Sequence, residues 1–333
     1  MRTRCIAALA AALIFASRAA ALPDIVWPTP SKAFAQGKPY TAFIQPTAIG
    51  VPQSGLFGDV RSNGWRFHEG IDIAPVSRNR RGEPLDDVFA AMDGKIVSVN
   101  KVAGNSGYGR YVVMVHPACD VSVYTLYAHL AEIDPAAAVG AQVKVGAKLG
   151  KMGRSASYSI PRQQAHLHFE VGLMYGSSFD KWYYGSGKFK EKNHFGNYNG
   201  MNLVGFDPLD FYTKARDGAV NDGFRGYIQS LPVALVVRVY TKRTPDFVSK
   251  YPKLVDNSGK ACGWDISLTW FGLPVKFERV KNPRAGAREG EVEILKYNPA
   301  ELKRKCRRMV DFDKKGNPAM RPELKDLIKK IFP

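Results

Sequence analysis

Short β-rich runs interrupted by glycine fill the chain from about residue 46 to residue 215. Each run has the length of one strand, and the intervals between runs are too short for the helical crossovers that parallel strands need. The pattern therefore predicts a mainly β domain over residues 46–215, with an antiparallel sheet or a barrel-like arrangement. The runs are Val88–Ala91, Lys95–Asn100, Tyr111–His116, Ser122–His129 and His166–Leu173.

The pattern changes on both sides of this segment. After residue 215 strand-like and helix-like runs both occur, which predicts a smaller α+β C-terminal domain over residues 216–333. Residues 22–45 are rich in proline and small residues and lack periodicity, so we predict an extended N-terminal arm there. The C-terminal strand-like runs are Val233–Tyr240, Ile266–Val280 and Glu291–Tyr297, and the helix-like runs are Pro299–Val310 and Arg321–Ile331.

Residues 1–21 have the three parts of a secretory signal peptide. Met1–Arg4 carries two arginines, Cys5–Ala16 is an unbroken apolar run, and Ser17–Ala21 consists mostly of small residues. The apolar run is about 12 residues long, whereas a membrane-spanning helix needs roughly 20. We expect cleavage near Ala21 and export to the periplasm or the extracellular space, with no transmembrane segment.

The charge indicates which partners an exported chain would meet. The formal net charge is +18, and residues 216–333 hold 25 Lys and Arg against 14 Asp and Glu. Such a balance suits nucleic acid, anionic membranes or acidic envelope polymers. Export removes nucleic acid from this set. Two interpretations of the basic C-terminal region stay open: a solvated surface, or an anchor for anionic envelope polymers.

Three cysteines would remain after removal of the signal peptide, namely Cys119, Cys262 and Cys306. An odd number excludes a fully paired disulfide framework. Export permits a Cys262–Cys306 disulfide, and the sequence leaves this pairing open.

Four of the six histidines fall into three short phrases, which are Phe67–Asp72, Tyr127–Leu130 and His166–Glu170. Alternate residues of a strand share one face, so His166 and His168 would point the same way as Glu170. The same period places His68 and Asp72 on one face. Gly70 lies between them, and we expect it to leave space for a metal ion.

Two imidazoles, a carboxylate and a water are the usual ligands of a catalytic zinc ion, whereas structural zinc prefers four protein ligands with more thiolate. An H-x-H pair on a strand, together with an H-x-x-x-D phrase and a further histidine at position 129, therefore predicts a metal site. The two remaining histidines, His116 and His194, have no such pattern and are expected to play no chemical part.

The histidine phrases belong to a longer ordered set of motifs between about residues 55 and 215. With this set the sequence resembles the M23 (LytM and lysostaphin-like) zinc metallopeptidases, a family of peptidoglycan endopeptidases. The motifs, in chain order, are Arg66–Ala74, Phe89–Val97, Gly107–Val113, Tyr124–Leu130, Val143–Gly146 with Gly150 and Gly153, His166–Val171 and Asp207–Leu209.

The resemblance implies roles for individual residues. His68, Asp72 and His168 would bind one Zn²⁺ per chain, while His129 and His166 would flank the reacting water. Either of these two histidines could be the general base. Glu170 is a candidate for orienting a ligand, and Glu69 would face away from the metal. The implied reaction is hydrolysis of peptide cross-links in bacterial peptidoglycan, outside the cytoplasm.

Two segments depart from the family pattern. The turn before the H-x-H pair, residues 155–165, lacks the usual Ser-Thr-Gly-Pro-like sequence, which predicts a remodelled groove rim. Residues 174–206 form an aromatic-rich insertion of about 30 residues. It would either pack under its own aromatic side chains or form a groove wall that contacts substrate.

Two other functions are compatible with parts of this pattern. A non-catalytic module that binds the envelope or activates other hydrolases would lack some of the metal and proton-transfer residues, but here all five positions are filled. A cupin-type metal enzyme also uses an H-x-H pair in a β-barrel. That alternative leaves His68 and Asp72 without a role.

Overall fold

A computed structural model describes residues 22–256 and 261–333, so the predicted signal peptide lies outside the described residues. The mainly β class is confirmed. The strands preceding the C-terminal region are β1 (Gly58–Arg61), β2 (Arg66–His68), β3 (Ile71–Ile73), β4 (Asp87–Phe89), β5 (Gly94–Asn100), β6 (Tyr111–Val115), β7 (Tyr124–Ala128), β8 (Glu132–Ile133), β9 (Gln142–Val143), β10 (Lys148–Lys151), β11 (Leu167–Met174) and β12 (Leu203–Phe206).

The described part of the C-terminal region adds six strands. The strands are β13 (Leu235–Val239), β14 (Trp264–Leu268), β15 (Pro274–Arg279), β16 (Val292–Tyr297), β17 (Val310–Phe312) and β18 (Pro318–Met320). The α-helices are α1 (Phe179–Gly185), α2 (Pro208–Arg216), α3 (Gly223–Ser230), α4 (Asp246–Lys250), α5 (Pro299–Leu302) and α6 (Pro322–Ile331).

A seven-stranded antiparallel sheet forms the centre of the fold, in the order β12-β11-β7-β6-β5-β9, with β3 also paired to β11. The sheet stays open, so the described residues form no closed barrel. Strand β11 is buried along its whole length. Its odd-numbered residues Leu167, Phe169 and Val171 enter the main apolar core, which leaves the even-numbered ones for the opposite face.

The predicted N-terminal arm packs closely against the central region. The Trp27 ring stacks on Phe34 at 4.7 Å between centroids, and the Tyr212 hydroxyl of α2 donates to the Val26 carbonyl at 2.9 Å. At its end the arm adds Ile44 as a bridge to Ile73 of β3. Phe34 and Phe43 of this segment therefore belong to the core, and Trp27 and Tyr40 pack against it.

A four-stranded antiparallel sheet, in the order β15-β14-β13-β16, dominates the C-terminal region. The run predicted as one strand over Ile266–Val280 contains two strands, because a turn at residues 269–273 reverses the chain. The helix predicted over Pro299–Val310 is also wrong beyond its first turn. It ends at Leu302, and Val310 begins strand β17.

The C-terminal region contacts the central region through an aromatic cluster. Trp270 and Phe271 lie 5.5 Å and 6.0 Å from Phe67, between ring centroids. The Arg307 guanidinium lies 3.9 Å from the centre of the Phe67 ring and forms an ion pair with Glu69. Phe67 precedes a predicted metal ligand, so these contacts connect the C-terminal region to the site. The proposed domain boundary at residues 215/216 stays a prediction.

Each of the three described cysteines is a free thiol. The Cys262 amide donates to Val280 in the C-terminal sheet. Cys306 is buried in the segment that follows α5, where Asp59 of β1 is among its charged neighbours. The disulfide that the sequence left open is therefore not formed. Across the described residues, no helix has the length and apolar character needed to cross a membrane.

Candidate metal centre

Three short stretches of strand bring the predicted metal ligands together. His68 ends β2, Asp72 is the middle residue of β3, and His168 is the second residue of β11. Asp72 and His168 are direct partners in the antiparallel register of β3 with β11. The sequence suggested one continuous strand from His68 to Asp72. Instead the chain bends at residues 69–70, because β2 pairs with β1 while β3 pairs with β11.

Gly70 occupies the bend for a reason different from the one predicted. A Cβ atom there would lie 2.2 Å from the Phe169 carbonyl oxygen and 2.9 Å from Cγ of Glu170. The missing side chain thus permits the close approach of β11, and it does not make space for a metal ion. Packing of the two backbones decides the residue type at this position.

Replacing Gly70 by alanine is expected to destabilise the fold by about 3 kcal/mol, because an overpacked core typically costs 1–3 kcal/mol and here the obstruction is backbone. Gly104→Ala is the matched control, since nothing lies within 4 Å of a Cβ at that position. Urea unfolding measured by tryptophan fluorescence compares the two. Equal stability of the two variants would contradict the close approach.

The three ligand groups form a compact triangle of donor atoms. His68 Nε2 lies 3.0 Å from His168 Nδ1 and 3.1 Å from Asp72 Oδ1. The third side, from His168 Nδ1 to Asp72 Oδ1, is also 3.1 Å. All three residues are buried. Nothing else within the described residues groups three or more His, Cys, Asp or Glu side chains in a geometry that could hold a metal ion.

Neighbouring groups fix the orientation of both ligand imidazoles. His68 donates Nδ1–H to the Leu56 carbonyl at 2.6 Å, which leaves the lone pair of Nε2 pointing into the triangle. His168 directs Nε2 to Glu170 Oε1 at 2.9 Å, which leaves Nδ1 for the triangle. Carboxylate and carbonyl partners of this kind hold the ligating tautomer of histidine in metal sites. Glu170 thus has the orienting position predicted from the sequence.

Asp72 has a second partner that the sequence did not reveal. Its Oδ2 accepts from the guanidinium of Arg61, which also donates from Nε to the Ser54 carbonyl at 3.1 Å. The ion pair fixes the carboxylate so that only Oδ1 faces the two imidazoles. Arg61 stands eleven residues before Asp72 on a different strand, and this separation has no recognisable pattern.

The protonation states follow from burial and from the neighbouring charges. Burial opposes the charged form of Asp72, but the charges of His166 and His68, with hydrogen bonds from His166 and His168, hold the pKa of Asp72 well below its usual range. Burial lowers the pKa of His68. Although burial disfavours its cation too, hydrogen bonds to Asp72 and Glu170 raise the pKa of His168 to about 9. A proton and a metal ion would therefore compete for His168 Nδ1.

The donor triangle fits a tetrahedral zinc ion. Zinc–nitrogen and zinc–oxygen bonds of about 2.0–2.1 Å place neighbouring ligand atoms about 3.3 Å apart in a tetrahedron. The observed separations of 3.0–3.1 Å lie close to this value. Two imidazoles and one carboxylate also give the mixed nitrogen and oxygen donor set of catalytic zinc, with one position left for water or substrate.

His129 stands beside the triangle in an unusual backbone conformation. It follows the last residue of β7 and has φ of 61°, in the left-handed region that few non-glycine residues adopt. Its amide donates to the Tyr108 carbonyl at 2.9 Å, and its Nδ1–H donates to the Ser155 carbonyl at 2.8 Å. These contacts direct Nε2 away from Ser155. Such local strain is typical of functional positions.

His166 lies between His129 and the triangle. Its ring centroid is 4.8 Å from that of His129, and its Nε2 is 3.3 Å from Asp72 Oδ1. Its Nδ1–H donates to the Gln164 carbonyl at 2.5 Å. All five residues singled out in the sequence thus come together. Burial, followed by the charges of His166 and His168, lowers the pKa of His129 well below its usual range, which keeps its imidazole neutral.

The other residues considered from the sequence lie elsewhere. Glu69 pairs with Arg307 at 3.1 Å and is not part of the donor triangle, although it lines the same cavity as His129 and His168. His116 is buried between the Asp93 carbonyl and the Thr125 hydroxyl, and burial lowers its pKa to about 4. His194 is exposed in the insertion.

Two cavities of about 220 and 240 Å³ meet at the centre, because Arg61, Arg66, His129 and Tyr158 line both of them. Tyr158 comes from the turn at residues 155–165 that departs from the family pattern. The rim of the groove is thus formed in part by this remodelled turn.

Fold and site together define a mainly β protein whose central sheet carries a buried two-histidine, one-aspartate centre with two further histidines beside it. Residues 66–180 match the family model described as peptidase family M23, which confirms the resemblance drawn from the sequence motifs. The chain has no significant match among curated proteins.

Solved structures with partial similarity include a zinc-containing peptidase from Vibrio cholerae, 26% identical over 39% of this chain and 33% of its own, at a TM-score of 0.26. The match thus spans about a third of that protein. The catalytic domain of lysostaphin from Staphylococcus simulans is 19% identical over 51% of this chain and 89% of its own, at a TM-score of 0.29. The catalytic domain of the prophage-encoded M23 protein EnpA from Enterococcus faecalis is 21% identical over 39% of this chain and 80% of its own, at a TM-score of 0.28.

Proposed function

We propose that this protein is an exported, zinc-dependent endopeptidase that hydrolyses peptide cross-links of bacterial peptidoglycan. The observation that carries the proposal is the donor triangle of His68, Asp72 and His168, with two more imidazoles beside it. The match of residues 66–180 to peptidase family M23 supports the reaction class. A non-catalytic envelope module would have no need for a complete and buried set of this kind.

The ligand residues and their partners would hold one Zn²⁺. Zinc, when bound, lowers the pKa of a water molecule toward about 7 and polarises a carbonyl group. Asp72 contributes the negative charge of the ligand set, and Arg61 prevents its carboxylate from turning away. Glu170 and the Leu56 carbonyl keep the two ligand imidazoles in the tautomers that bind metal.

The proton transfers fall to His129 and His166. His129 is neutral, its Nδ1–H is occupied by the Ser155 carbonyl, and its free Nε2 can accept a proton from the attacking water. The His166 ring centroid lies 4.8 Å from that of His129. His166 can therefore stabilise negative charge on the carbonyl oxygen or pass a proton to the leaving amine. We assign the general base to this pair and not to Glu69, whose carboxylate is held by Arg307.

The envelope setting is the second part of the proposal. The basic C-terminal region presents exposed cations, among them Lys303, Lys305, Lys314 and Lys315. We propose that these side chains hold the protein close to anionic envelope polymers. Their attraction acts only at short range, because the Debye length is about 8 Å near physiological ionic strength.

Digestion of purified sacculi tests the proposed reaction. The chain without residues 1–21 is expected to release muropeptide fragments whose masses show a newly formed amine and carboxylate at a cross-link. A zinc chelator should stop the release, and added zinc should restore it. Release of sugar-cleaved fragments, or release that is indifferent to chelation, would contradict the proposal.

A further inference from the structure

We propose that a cavity between the C-terminal region, the 174–206 insertion and the candidate metal centre is a substrate subsite that binds a carboxylate group of the peptide. Lys330 would form its anion-binding side. The inference rests on the proposed function and deepens it, since it assigns substrate recognition to parts of the chain outside residues 66–180.

The cavity continues the groove at the metal centre. It has a volume of about 500 Å³, and Glu69, Ser106 and Tyr108 line both this cavity and the one that contains His129 and His168. A peptide with its scissile bond at the metal centre could therefore extend past Tyr108 into the larger cavity. Such continuity is what an extended substrate requires.

Three regions of the chain build the walls of this cavity. The central sheet contributes Tyr111, the insertion contributes Tyr175 and Phe195, and the C-terminal region contributes Phe271. Tyr111 and Phe195 lie 5.7 Å apart between ring centroids, so the insertion is held against the sheet. Aromatic walls of this kind pack against the aliphatic part of a peptide and leave its charged groups to polar partners.

The carboxylates of the cavity are already neutralised. Glu69 pairs with Arg307 at 3.1 Å, and Glu323 pairs with Arg321 at 3.1 Å. Asp326 pairs with Lys188 of the insertion. The cations that neutralise Glu323 and Asp326 do not line the cavity themselves. The acidic side chains thus leave no unbalanced negative charge to repel an anion.

Lys330 is a cation of the cavity lining whose charge is not balanced by an ion pair with any described residue. Its Nζ lies 4.7 Å from the centre of the Trp182 ring and 5.6 Å from that of Tyr175, and it forms no ion pair within residues 22–256 and 261–333. Asp326, one turn earlier on α6, is bonded to Lys188 instead. Contact with aromatic faces offsets only part of the cost of removing an ammonium from water. A carboxylate would supply the missing partner.

Arg307 lines the same cavity, but its charge is already paired with that of Glu69. Its Nη2 donates to Glu69, its Nη1 donates to the Phe271 carbonyl at 3.3 Å, and the segment after α5 holds it there. Burial, followed by the charge of Arg307, lowers the pKa of Lys330 to about 8. A bound carboxylate would relieve this repulsion. Lys330 on one side and aromatic walls on the others suit a singly charged group better than phosphate.

Peptide binding by the full-length mature chain tests the subsite without requiring turnover. The protein carries His129→Ala, which prevents cleavage, and the probe is a fluorescently labelled stem tetrapeptide containing diaminopimelate. Four forms are compared by fluorescence anisotropy: the free acid, and forms amidated at the terminal carboxylate, at the side-chain carboxylate of diaminopimelate, or at the α-carboxylate of the γ-linked glutamate. One amidated form is expected to bind about tenfold more weakly, as befits loss of a charge-assisted hydrogen bond. That form identifies which carboxylate occupies the cavity.

Lys330→Met removes the charge and keeps an unbranched side chain over the two rings. In this variant all four peptides are expected to bind with the weaker affinity, whereas Lys330→Arg should restore the preference for the free acid. Lys329→Met is the matched control, because Lys329 is exposed and does not line the cavity. Its preference should equal that of the parent.

Equal affinity of the parent for all four peptides would overturn the subsite. A preference that survives Lys330→Met, or the absence of any binding, would also overturn it. Sacculus digestion by the chain with His129 intact separates this result from the proposed function. Digestion without carboxylate preference would leave the peptidase standing and remove the subsite. A preference for the free acid without digestion would support the subsite and contradict the proposed peptidase activity.

Discussion

Replacing His168 by alanine is expected to abolish both zinc binding and peptide hydrolysis. The change removes one of the three proposed protein ligands and leaves Asp72 and His68 without the donor that completes the triangle. Elemental analysis after dialysis should show about one zinc ion per chain in the parent and almost none in the variant. Turnover of sacculi should fall to the background of the buffer.

His194→Ala is the control for this experiment, since His194 is an exposed histidine of the insertion. Its zinc content and activity should equal those of the parent. Full zinc content in His168→Ala would mean that another residue completes the site. Tightly bound iron in the parent would favour the cupin-type alternative, although the open sheet already differs from a barrel.

The parts of the site that lie within one strand could be predicted from the sequence. The period of two residues along β11 predicted that Leu167 and Phe169 enter the core while His168 and Glu170 face the opposite way. Because this alternation is local, it does not depend on which strands are neighbours. The same reasoning predicted that Glu170 contacts a ligand.

The parts that depend on strand pairing could not be predicted. His68 and Asp72 fit one continuous strand by their spacing, yet each belongs to a different pairing partner. The Ser155 carbonyl that orients His129 comes from 26 residues away, and Arg61 reaches Asp72 from another strand. No local pattern encodes such contacts. Residue spacing therefore indicated the candidate ligands more directly than the groups that position them.

The C-terminal region shows how tertiary contacts can override a helical pattern. After α5 the chain leaves the helix, and Arg304 and Lys305 reach Asp59 at 3.5 Å and the Asn63 carbonyl at 2.9 Å. A continued helix would not bring the segment along this path beside β1. The same segment carries Arg307 to the proposed subsite. The failed helix prediction thus falls on a segment that joins two regions of the molecule.

Replacing His129 by alanine is expected to leave zinc content unchanged and to lower turnover at least about a hundredfold, the usual contribution of one general acid–base group. His129 has no donor atom in the triangle, so metal binding does not require it. Its Nε2 is the free basic atom beside the site. Zinc content by elemental analysis and the initial rate on sacculi measure the two effects separately.

The left-handed backbone of His129 makes a second variant necessary. Asparagine tolerates this conformation better than alanine, so His129→Asn keeps the local fold while removing the imidazole. Both variants should lose turnover to a similar extent. Recovery of activity in His129→Asn alone would show that residue 129 acts through its backbone conformation. Loss of zinc in both variants would place His129 among the metal ligands. The proton transfer would then have to be assigned to His166.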